Sequence, residues 1–228
     1  MSRLPNFIKI FFLLITVLLS SFDMQEKKKV RYLALGDSYT ICTGAKISES
    51  WPVLLTKHLN EAGVETELIA NPSVNGYSTQ NLIDRELSVF EASNADFVTL
   101  LIGVNDWVRN VDIPTYTKNL QYILDKVQAK LKDKSKILLI TIPDFGVTPE
   151  GKNYGSGRNI SEGINEFNTI IKNEAAKRKL VVVDIFKLSQ EMGKNPDLVA
   201  TDGLHPSAKE YAEWEKLIFP AAKSLLEK

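Results

Sequence analysis

Serine acyl transfer needs a hydroxyl nucleophile, a base oriented by an acid, and donors for the tetrahedral oxyanion. Ser38 stands in Gly36-Asp37-Ser38-Tyr39, Gly76 closes Asn71-Pro-Ser-Val-Asn-Gly76, and Asn105 stands in Gly103-Val-Asn105-Asp106. Near the C-terminus Asp202-Gly-Leu-His205-Pro206 pairs an acid with an imidazole. Three residues apart in one turn, the Asp202 carboxylate can reach the Nδ1–H of His205 and hold the tautomer whose Nε2 faces Ser38. The chain has two histidines. His58 falls inside a helical pattern beside Lys57 and Asn60 and reads as a partly exposed helix residue, so His205 is the base.

These residues must be brought to one place, and the apolar pattern says how. Val30–Leu35, Val64–Ala70, Phe97–Ile102, Lys136–Ile142 and Leu180–Val183 read as strands. Between and after them, Trp51–Ala62, Ser78–Phe90, Ile113–Leu131, Ile160–Lys177 and Ala208–Leu226 carry apolar residues at helical spacing. Ser78 is placed to cap its helix, and Pro220 to bend the last one. Strands alternating with helices predict a parallel sheet covered on both faces, with ligands bound beyond the carboxyl ends of the strands. Ser38, Gly76 and Asn105 each follow a strand, and Asp202 and His205 come after the fifth, so all five fall on that edge. The irregular stretch 143–158, with Gly146, Gly151, Gly155 and Gly157, reads as a rim of the site.

Taken in order, Gly36-Asp37-Ser38, Gly76, Gly103-x-Asn105-Asp106 and Asp202-x-x-His205 resemble the blocks that define the SGNH/GDSL hydrolases, from Val30 to about Trp214. The resemblance implies a flavodoxin-like three-layer α/β/α sandwich with a five-stranded parallel sheet. It implies catalytic Ser38, Asp202 and His205, and an oxyanion hole from the Ser38 and Gly76 amides and the Asn105 side chain. It also implies a serine esterase acting on small acyl, carbohydrate-linked or lysolipid esters. An acyltransferase using the same site, or a non-catalytic binding module on the same scaffold, are the alternatives. The first block reads Gly-Asp-Ser-Tyr in place of Gly-Asp-Ser-Leu. Tyr39, Tyr77 and Trp107 adjoin these blocks as candidate walls of an acyl or sugar site, or as core packing. Asp37 and Asp106 read as turn and helix-cap acids, and Cys42 as a small buried residue.

Composition excludes other classes. Lys+Arg and Asp+Glu both number 28 in 228 residues, which leaves no basic footprint for nucleic acid. One cysteine and two histidines cannot form a disulfide or a Cys/His zinc cage, so no metal or cofactor is expected. Gly146–Asn153 nearly spells a phosphate-binding loop, but it ends in Asn153 where magnesium needs Ser or Thr, and Pro149 removes an amide. Arg3 and Lys9 precede the apolar run Ile10–Leu19, which fits a secretory signal over residues 1–22, or an N-terminal anchor if uncleaved. A charged linker, 23–29, then leads into a hydrolase domain, 30–228. The expected protein is exported, touching a membrane only through that leader.

Overall fold

A computed structural model of the chain describes residues 29–227. The expected leader and most of the charged linker lie outside the described residues.

The chain alternates strand and helix throughout. Strand β1 (Val30–Gly36) leads into a short helix α1 (Ser38–Ile41), then α2 (Trp51–Glu61) and β2 (Thr66–Ala70). Helix α3 (79–92) precedes β3 (Phe97–Leu101), which leads into α4 (Val104–Val108) and α5 (Ile113–Lys130). Then come β4 (Ile137–Ile140), α6 (Ile160–Arg178), β5 (Val181–Val183), α7 (Phe186–Ser189) and α8 (Ala208–Leu226). The five strands are all parallel, in the order β2-β1-β3-β4-β5. Strands β1, β3 and β4 are continuous apolar runs because both sheet faces are covered: Leu33, Leu35, Val98, Leu101 and Leu138 are fully buried. Helices α2 and α8 pack together on one side, and α3, α5 and α6 form the other layer.

The order reverses direction between β1 and β3. Strand β2 lies on one side of β1, and β3 with all later strands lies on the other. A crevice opens at such a switch point beyond the carboxyl ends of the strands. Ser38 follows β1 and Asn105 follows β3, so the two flank that crevice.

Three features depart from the sequence expectation. Helix α3 contains a π-helical stretch, Leu82–Glu86. Two single-turn helices, α1 and α4, follow the strands that end in site residues, where the sequence gives no full apolar period. The stretch 143–158 is not irregular throughout. It forms 3-10 turns at Phe145–Val147 and Gly151–Tyr154, with Phe145, Thr148 and Gly151 buried. The Thr148 hydroxyl donates to the Phe145 carbonyl and accepts from the Gly151 amide, which ties the two turns together.

Candidate active site

Ser38 is the first residue of α1 and is almost buried. The Asp37 carboxylate caps this helix by accepting from the Tyr39 amide at 3.0 Å, as expected for a cap acid. The Asp37 carbonyl accepts from the amides of Thr40 and Ile41. Trp51 Nε1 donates to the Tyr39 carbonyl at 2.8 Å, and Asn71 Nδ2 to that of Thr40 at 2.9 Å. A four-residue helix has little stability of its own, and these outside partners supply its order.

One short helix holds the Gly76 segment. Gly103, with φ +131°, turns the chain from β3 into α4, and Gly76 has φ +81°, both conformations that glycine adopts without strain. From α4, Asn105 Nδ2 donates to the Tyr77 carbonyl at 2.9 Å. Asp106 accepts from the Thr79 amide at 2.8 Å and from the Thr79 hydroxyl at 2.5 Å, so it ties α4 to the start of α3. Arg109, at the C-terminal cap of α4, donates to the Gly76 carbonyl at 2.6 Å and to Asn81 Oδ1 at 3.1 Å. An amide side chain has two N–H donors, so Asn105 retains one for a substrate oxygen.

The acid–base pair sits in the loop before α8. Asp202 Oδ2 lies 2.6 Å from His205 Nδ1, while its Oδ1 accepts from the amides of Leu204 and His205 at 2.9 Å each. The loop is closed by the Ala200 amide on the His205 carbonyl at 2.8 Å and by a bridge between Val199 and Pro206. Partial burial opposes ionisation of Asp202. The two amides and the imidazole outweigh it and hold the carboxyl below its usual value. The His205 ring stands 5.9 Å from that of Tyr39, which packs edge-on against Trp214 on its other flank.

Ser38, Asn105 and His205 line one small cavity of about 70 Å³. Its other walls are Tyr39, Val104, Val108, Phe145, Tyr154 and Leu204. Gly76 lies outside this lining, in the segment that α4 holds.

Of the aromatic residues read as site walls or core packing, Tyr39 lines the cavity, and the other two do not. Tyr77 is half-buried and offers its carbonyl to Asn105, but it does not line the cavity. Trp107 is 5% exposed and faces a neighbouring groove. The Arg158 guanidinium covers its ring at 3.8 Å, and a Cβ on Gly163 would lie 1.9 Å from its Nε1.

Sequence reasoning missed Phe145 and Tyr154, which meet edge-on with centroids 6.4 Å apart. The available signal was two large aromatics inside the glycine-rich stretch after β4, beyond the same sheet edge as Ser38. His58, outside the site, pairs with the buried Glu215 at 2.9 Å. Among the described residues no cluster of His, Cys, Asp or Glu could hold a metal ion.

Comparison with known proteins finds one family. The family model of the GDSL-like lipases/acylhydrolases matches residues 34–212. Esterase TesA of Pseudomonas aeruginosa is 25% identical over 89% of this chain and 92% of its own length. An arylesterase of Vibrio mimicus is 25% identical over 85% of this chain and 88% of its own. A crystal structure of TesA, also 25% identical, superposes with a TM-score of 0.67 over 86% of this chain and 99% of that one.

Proposed function

Because the chain belongs to the GDSL-like lipase/acylhydrolase family and is an esterase of that family, we propose that it cleaves esters of short acyl groups through Ser38, His205 and Asp202. His205 Nε2 takes the proton of the Ser38 hydroxyl as its Oγ attacks the ester carbonyl. The resulting oxyanion is held by the amides of Ser38 and Gly76 and the free N–H of Asn105. Collapse of the tetrahedral intermediate returns the proton from His205 to the departing alcohol and leaves an acyl group on Ser38. Water, deprotonated by His205, then attacks that acyl carbon, and the carboxylic acid leaves as the serine hydroxyl is restored. Asp202 stays ionised and stabilises the imidazolium formed in each half-reaction.

One observation carries this reading: the 2.6 Å Asp202–His205 contact orients an imidazole that shares a 70 Å³ cavity with Ser38. The cavity also supports the acyl preference. A cavity of about 150 Å³ accepts a benzene ring, so this one suits roughly three non-hydrogen atoms, an acetyl or propionyl group. The acyl group remains through both half-reactions and gains from enclosure, whereas the alcohol must diffuse away. The apolar leader at Ile10–Leu19 supports export of the enzyme.

Replacing Ser38 by Ala tests the mechanism. Hydrolysis of p-nitrophenyl acetate should vanish with the melting temperature unchanged, and a fluorophosphonate should label the parent at Ser38 only. Full labelling of Ser38→Ala would remove Ser38 from the reaction.

A further inference from the structure

A buried carboxyl stands directly behind the nucleophile, and the mechanism above does not use it. Glu86 is fully buried, and its Oε2 accepts a hydrogen bond from the Gly36 amide at 3.0 Å. That amide is available for a topological reason. Strand β2 accompanies β1 only as far as the Leu33–Ala70 pair, whereas β3 follows it to Gly36. The end of β1 therefore lacks a neighbour on its β2 side, and a buried N–H there must find another acceptor.

Gly36 has no freedom elsewhere. A Cβ at this position would lie 2.1 Å from the Thr40 hydroxyl oxygen and 2.3 Å from the Leu101 carbonyl. The residue is thus enclosed by α1 and β3, with Glu86 holding its amide. The carboxyl arrives from the last position of the π-helical stretch Leu82–Glu86, a local distortion frequently found at functional sites.

We propose that Glu86 is a positioning residue for Ser38, acting through the Gly36 amide that it holds. The inference rests on the reading of Ser38 as nucleophile. Burial pushes the Glu86 carboxyl up to about 8; the Gly36 hydrogen bond lowers it, and the nearby Asp37 raises it again. Asp37 is itself pushed up to about 8, mainly by burial, with Asp106 adding to the rise. Of these acids Asp37, in the turn after β1, acts on Glu86 directly, and Asp106 of α4 acts on Asp37. At neutral pH Glu86 is therefore protonated and holds Gly36 without a net charge. Above pH 8 its ionisation places a negative charge behind the site where the oxyanion must develop, which opposes attack. The fold holds this proton more tightly than the unfolded chain, so the group's contribution to stability falls as pH rises from about 4.5 through about 8.

The test compares the parent with Glu86→Gln and Glu86→Leu between about pH 6 and 10, reading Ser38 labelling by a fluorophosphonate and kcat and KM for p-nitrophenyl acetate. The parent should lose kcat above pH 8. Glu86→Gln keeps the acceptor and cannot ionise, so it should match the parent within about twofold at neutral pH and lose less kcat at alkaline pH, the remaining loss following Asp37. Glu86→Leu, which removes the acceptor, should label and turn over about tenfold more slowly with KM unchanged. An alkaline loss in Glu86→Gln identical to the parent's would overturn the proposal, and this variant decides even if Glu86→Leu fails to fold. Normal labelling of all three proteins would also overturn it. Absence of label from Ser38 in the parent would instead strike the assignment of the nucleophile.

Discussion

Asn105 is asked to do two things with one amide. Its Nδ2 supports the Tyr77 carbonyl at 2.9 Å while the side chain lines the cavity beside Ser38 and His205. The support keeps the amide from rotating, so its second N–H is oriented before substrate arrives, which is where an oxyanion donor gains most of its effect. Asn105→Ala should lower kcat by about 10² to 10³, equivalent to roughly 2.7–4 kcal/mol, and change KM little, because the bond strengthens as charge develops. Asn105→Asp should be worse, since its carboxylate would face both the Tyr77 carbonyl and the developing oxyanion. Steady-state kinetics with melting curves on both variants decide the matter. A lower melting temperature with normal kcat would reduce Asn105 to a turn residue.

At the scale of elements, the turns after β4 set what the site admits. The 3-10 turn Gly151–Tyr154 sets Tyr154 against Phe145, and both rings close the cavity around Ser38. Tyr154 is 43% exposed, so truncating it creates no void in the core. In Tyr154→Ala, kcat/KM for p-nitrophenyl butyrate and hexanoate should rise relative to acetate by about tenfold or more, the scale on which a pocket distinguishes one or two methylenes. An unchanged acyl profile, with the alcohol profile altered instead, would place the leaving group in this cavity. The same scale shows where sequence patterns were readable. Helix α8 spans Ala208–Leu226 as its apolar spacing predicts, and Leu120, Ile123, Leu124 and Val127 of α5 are buried as expected. That Ser38, Asn105 and His205 would meet was legible, because each stands at a strand end or in the loop before α8, and the three line one cavity with Asp202 against His205. Glu86 was not, although it lies between Leu82 and Phe90 on the apolar side of α3, where a carboxyl is out of pattern. Nothing in a helical period announces a π turn or the amide waiting beyond it. For Tyr77 and Trp107 the sequence left wall and core packing open, because adjacency along the chain does not fix which way a ring points. Covering groups such as Arg158 and Gly163 come from more than 50 residues away.

For the molecule as a whole, the first and last long helices among the described residues close one layer of the sandwich, and one histidine–carboxyl contact crosses between them. His58 of α2 meets Glu215 of α8 at 2.9 Å; Glu215 is 2% exposed, and its other oxygen has no partner among the described residues. Removing the imidazole leaves a buried carboxyl group without its hydrogen-bond partner, a change that costs more than the contact itself contributes. His58→Leu should lower the melting temperature by roughly 2–6 °C, corresponding to about 1–2 kcal/mol in a domain of this size, with kcat untouched. Scanning calorimetry beside an ester assay tests both halves, and an unshifted melting temperature would show that the pair contributes nothing.

The loop bearing His205 is made long after the turn that bears Ser38. Directly after it, the Tyr211 hydroxyl binds the Thr43 carbonyl at 2.9 Å across 168 residues of sequence. A ribosome adding about 5–20 residues per second delivers the second of these partners roughly 10 to 30 seconds after the first. On the proposed roles of Ser38 and His205, the nascent chain carries through that interval a nucleophile with no base to activate it. Hydrolytic power should then be withheld until the His205 loop is made, and a polypeptide truncated before Asp202 should show no ester turnover. Appearance of ester turnover in a timed cell-free synthesis would mark the docking of the C-terminal helix, and so serve as a clock for completion of the fold.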